Sequence, residues 1–106
     1  MEDTATILTV QVDAAGLVAG RGTPESAFRE RVAAKVERAG LADRRAGLVL
    51  VWGYAPETAA GLAIADAAGT QLSDASPVFD NAVPRALWKD RPSVGTVELE
   101  IFLYGE

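Results

Sequence analysis

Glu98 and Glu100 stand two apart in "TVELEIFLYGE". On an extended strand that spacing puts both carboxylates on one face, about 7 Å apart. Such a pair can hold a divalent ion or share a proton between like charges. The plainer alternative is two solvated carboxylates, or carboxylates matched by arginines from a neighbouring element. We adopt it, assigning no metal, no cofactor and no catalytic residue. Asp74, Asp80 and Asn81 in "SDASPVFDN" offer oxygen ligands of the kind calcium takes. Their spacing lacks the alternating positions and distal glutamate of a calcium loop, so turn and capping roles suit them better. "GRG" at Gly20–Gly22 precedes a helix start, where free N–H groups and Arg21 could receive an anion. It carries neither the lysine of a phosphate loop nor a dinucleotide fingerprint, and reads as a connection.

The aromatic residues point to surfaces rather than to chemistry. "PRALWKDRP" gathers Arg85, Lys89 and Arg91 around Trp88. Tryptophan and arginine are enriched at interface centres, and the same set could stack on a base and meet a phosphate. Trp88 itself reads as a plug at the edge of the core, and its charged surroundings as interface candidates. In "GLVLVWGYAPE" Trp52 and Tyr54 share one face near a strand end. Trp52 reads as core, needing only one partner for its N–H, and Tyr54 as rim, where a small-molecule pocket could open. Phe102 and Tyr104 continue the face that carries the two glutamates, so the last strand ends apolar on both sides. A strand of that kind is covered by another element or pairs with a second chain.

Composition narrows the classes further. The chain has no histidine and no cysteine. It therefore lacks the commonest general acid/base, the commonest transition-metal ligand and all thiol chemistry. The net charge of −5 disfavours general affinity for nucleic acid or anionic lipid. The opening "MEDTATILTV" is acidic where a secretory leader is basic, and no run nears the roughly 20 apolar residues of a membrane span. A cytoplasmic setting is the expectation.

Positioning these residues requires a small α+β fold, a single domain over residues 1–106. Thr4–Val12 alternates, with Leu8, Val10 and Val12 on one face, and reads as a strand. Asp13–Gly16 then opens a turn, with "LVAG" as a short return strand. "TPESAFRERVAAKVERAG" is the clearest helix: Thr23 as N-cap, Pro24 in the first turn, Phe28, Val32, Val36 and Ala39 as the buried stripe, Gly40 as the C-terminal cap. Residues 48–54 are apolar on both faces. They predict a central strand, covered on both sides or by a helix on one and a partner on the other, that ends at Pro56.

Between residues 57 and 75, Gly61 and the alternation of Leu62 and Ile64 favour two short strands around a second "DAAG" turn over a helix. Ser76–Pro77 opens an irregular helix that Pro84 must break. "SVGTVELEIFLYGE" closes with a strand whose Val97, Leu99, Ile101 and Leu103 face the core. The result is a mixed, mainly antiparallel sheet with one long helix on one face, a ferredoxin-like open sandwich. Two "DAAG" turns and two Thr/Ser-Pro starts, each 53 residues apart, offer the alternative of a small pseudo-symmetric barrel built from two strand-strand-helix-strand halves.

Three functions follow. The first is a non-catalytic protein–protein interaction or assembly module, a homo-oligomer or a subunit of a larger complex, using Phe102, Tyr104, Trp88, Arg85, Arg91 and Tyr54. The second is a small-molecule-binding domain with its pocket at the Trp52/Tyr54 rim. The third is an enzyme built on Glu98 and Glu100.

Overall fold

The computed structural model describes residues 3–105. Along the chain run β1 (Thr6–Gln11), α1 (Ala14–Val18), α2 (Gly22–Arg38), β2 (Ala46–Ala55), α3 (Thr58–Gly69), α4 (Leu72–Ala75), a 3-10 turn at Pro77–Phe79, β3 (Val83–Asp90) and β4 (Thr96–Leu103). The strands make one sheet in the order β1-β4-β2-β3. β4 runs antiparallel to both its neighbours, while β2 and β3 are parallel. The protein is an α+β open sandwich, and among the described residues nothing closes the sheet into a barrel.

One face of the sheet supplies the core. Leu8 and Val10 of β1, Val97, Leu99 and Ile101 of β4, and Val49 and Val51 of β2 are buried there. α2 lies against β1, and α3 against β2 and β3. Helix α2 inserts Phe28, Val32 and Val36, each almost fully buried and each worth about 1.5–3 kcal/mol of transfer free energy. Its C-terminus closes as the glycine predicts. Gly40 takes a φ of 74°, and the Leu41 N–H donates back to the Val36 carbonyl at 3.0 Å. Leu41 is buried over that turn, whereas Ala39 is exposed. The N-terminus begins earlier than Thr23: Arg21 is the capping residue, and Gly22 and Thr23 are already helical.

Three segments differ from the expectation. Asp13 accepts from the Gly16 N–H at 3.0 Å, but the bond starts helix α1 rather than a hairpin, because Leu17 is drawn into the core. Residues 58–69 are helix α3, not two strands. Gly61 belongs there because it faces the sheet: a methyl group at Gly61 would meet Trp88, and one at Gly53 would meet the Gly61 carbonyl. Two opposed glycines let α3 rest directly on β2, which offsets the propensity cost. Val83–Asp90 is an edge strand rather than a broken helix, and an edge is where a sheet admits a proline such as Pro84. The two halves of the chain therefore do not repeat, since one "DAAG" starts a helix and the other ends one.

Candidate functional site

Among the described residues no helix covers the other face of the sheet. Cross-strand register fixes its layout, because directly paired residues share a face. At one end Val83, Leu48 and Phe102 lie side by side. The next level holds Arg85, Leu50, Glu100 and Ile7, and the one after it Leu87, Trp52, Glu98 and Thr9. At the far end Lys89 sits beside Tyr54. A face left to water normally alternates to polar residues. Here the outward positions of β2 are Leu48, Leu50, Trp52 and Tyr54, all half-buried only by one another and their neighbours. Ile7 and Val83 remain 59% and 48% exposed.

The polar end is internally matched. Glu98, buried on this open face, accepts from the Tyr54 hydroxyl at 2.7 Å and from Lys89 Nζ at 3.0 and 3.1 Å. Glu100 accepts from the Trp52 indole Nε1 at 3.0 Å. Lys89 Nζ lies 4.8 Å from the centre of the Trp52 ring, and the Arg91 guanidinium 5.4 Å from that of Tyr54. Both distances suit a cation over an aromatic face. Burial pushes the Glu98 carboxyl up, but the hydrogen bonds from Tyr54 and Lys89 outweigh it and hold the group below the ordinary glutamate range. The bond to Glu98, then burial, raises the Tyr54 phenol above its usual value. An ionised glutamate and a protonated tyrosine, each engaged with the other, form a rigid polar platform.

Set against the sequence, the structure keeps some groupings and dissolves others. Glu98 and Glu100 do share a face, but their partners are lysine, tyrosine and tryptophan rather than arginines. The cluster around Trp88 splits. On a strand Arg85, Leu87 and Lys89 face outward, while Trp88 turns to the helix side, packs on Gly61 and donates to the Ala55 carbonyl at 2.9 Å. Trp52 is on an interior strand as predicted, yet it lies half-buried on the open face and not in the core. β4 is likewise interior, so its edges are taken by β1 and β2 and cannot pair with a second chain. Phe102 sits on the open face, and Tyr104 lies beyond the strand and is exposed. Asp80 and Asn81 follow the 3-10 turn at the surface, and Asp74 lies in the first turn of α4. Arg21 sits exposed at the start of α2. Sequence reasoning missed Leu48, Leu50, Val83 and Leu87 as one surface. The signal was there in the period of two through "VPRALWK", had that segment been read as a strand.

No protein-family model matches the chain, and no curated protein matches it in sequence.

Proposed function

We propose that this protein is a non-catalytic assembly module that associates through the uncovered face of its sheet. One observation carries the reading: a solvent-facing sheet surface whose adjacent outward positions are Leu48, Leu50, Trp52, Leu87, Val83 and Phe102. Apolar groups on contiguous positions of three strands form a patch of the kind that marks an interface rather than a scatter of lone residues. The Lys89–Glu98 ion pair and the hydrogen bonds from Tyr54 and Trp52 to the two glutamates hold these side chains in place, so less side-chain freedom remains to be lost on docking. Arg85 and Phe102 lie on this surface, Tyr54 and Arg91 at its polar end. Trp88 contributes from behind by fixing α3 on the sheet.

The test is the native mass of the purified chain and of the same protein in extract of its host. Both are compared with Leu50→Glu, which places a charge at the centre of the patch. The wild type should exceed its 11.1 kDa chain mass in at least one setting, and the variant should return to that mass while keeping its fold. A wild type that runs at monomer mass in both settings overturns the reading.

A further inference from the structure

We infer that the occupant of the open face is a second copy of this chain, packed sheet on sheet about a twofold axis that runs along β2. The inference rests on the assembly reading above and adds the partner and the register.

The pattern of the face selects the axis. Its polarity changes along the strands, from Val83, Leu48 and Phe102 at one end to Lys89 and Tyr54 at the other. A twofold axis perpendicular to the strands would set the apolar end of one copy on the Lys89–Glu98 ion pair of its partner. An axis parallel to the strands keeps each level opposite itself, with the apolar end on the apolar end, although Glu98, already paired with Lys89 and Tyr54, then lies beside Leu87 of the other copy. The sideways position follows from charge. β4 presents Glu98 and Glu100, β3 presents Arg85 and Lys89, and β2 lies between them with no charge on this face. An axis between β4 and β2 would set Glu100 against Leu50 and Arg85 against Ile7, leaving neither with an opposite charge. An axis over β2 instead lays β2 on its counterpart and exchanges β4 with β3.

In that register Glu100 of each copy faces Arg85 of the other, because both stand at the level of Leu50. The two residues are also the ones left with capacity. Glu100 gives Oε1 to Trp52, while among the described residues its other oxygen and the Arg85 guanidinium have no partner within the chain. They are two strands apart in one copy, with Leu50 between them. Packed sheets lie about 10 Å apart, a gap an arginine side chain spans. An isologous contact makes the pair twice. β2, β3 and β4 offer a footprint of roughly 14 by 26 Å, or about 730 Å² over both copies before side-chain corrugation, which is the size of a weak, reversible contact rather than of a permanent dimer.

The experiment is a charge exchange read by sedimentation equilibrium. Wild type should dimerise, and Glu100→Arg and Arg85→Glu alone should each weaken dimerisation at least tenfold. An equimolar mixture of the two variants should recover the wild-type association, since both cross-copy contacts are then opposite in charge again. Glu100→Gln can still accept from Trp52, so a fold-preserving loss of dimer in that variant separates the interface from the monomer's own stability. Wild-type dimers that ignore every exchange, or a mixture no tighter than its components, overturn this register and leave the assembly reading standing. A purified chain that is monomeric, yet larger in host extract, overturns the second copy as occupant. Monomer mass in both settings removes the assembly reading itself.

Discussion

Gly61→Ala should destabilise this protein, although the same exchange strengthens most helices. Replacing a glycine inside a helix by alanine gains about 1 kcal/mol of propensity. At Gly61 the added methyl would be driven into Trp88 Cδ1 and would lie 2.8 Å from the Gly53 carbonyl oxygen. Neither neighbour yields easily. One is backbone, and the other is a ring tethered by its N–H to Ala55 at 2.9 Å. Overpacking against such groups costs about 1–3 kcal/mol, so the net expectation is a loss of about 1 kcal/mol. Gly53→Ala should be worse, by ~3 kcal/mol, because its methyl would run into the Gly61 carbonyl with further backbone atoms at 2.9 and 3.0 Å. Gly69→Ala is the control within the same helix. Its nearest neighbour is Pro84 Cβ at 3.4 Å, an ordinary contact, so the propensity gain of roughly 0.5–1 kcal/mol should survive. Urea unfolding followed by circular dichroism would rank the four proteins, with Gly69→Ala above wild type, then Gly61→Ala, then Gly53→Ala. Should Gly61→Ala raise the midpoint as Gly69→Ala does, α3 does not rest on β2 at contact distance, and the account of that helix is wrong.

Two further expectations concern single bonds. Glu98 titrates below the ordinary glutamate value of 4.5, so on acidification the unfolded chain takes up its proton first. The stabilisation it provides is therefore present above 4.5 and is lost as pH falls through the folded value. Stability measured from neutral to acid pH should show this loss in the wild type and a smaller one in Glu98→Gln, and parallel curves would count against the assignment. Asp13→Ala removes the only side-chain cap of α1 and should cost about 1 kcal/mol by chemical denaturation, whereas Asp13→Asn should cost only a few tenths.

The readable parts of this chain were those in which local pattern and tertiary use agree. Phe28, Val32 and Val36 recur at helical spacing because one helix face is buried, and Val97 to Leu103 alternate because one sheet face is. Helix α3 was unreadable for a reason outside its own segment. Gly61 weakens a helix in isolation and suits one only because Gly53, eight residues earlier, leaves room opposite. Asp13 satisfies the same backbone N–H in a turn and at a helix start, so its type alone does not separate the two. Pro84 argued against regular structure until β3 proved to be an edge. That misreading propagated into the site: read as helix, Val83–Asp90 gathers its charges around Trp88, and read as strand it sends them to the opposite side. The glutamate pair was found by spacing, but its partners come from β2 and β3 and have no local signature.

The position of β4 has a consequence for how the molecule comes together. Thr6 pairs with Ile101, and Val49 pairs with that same residue from the other side. Neither of the earlier strands pairs with the other, so during translation β1 must wait unpaired, and β2 with only β3 beside it, for a segment made some fifty to ninety residues afterwards to slip between them. Closing such long loops is slow and entropically costly. Until it happens, β1 and one edge of β2 lack their partner, and a ribosome-bound intermediate should be protease-sensitive at β1. Order then arrives in one cooperative event when the wedge goes in.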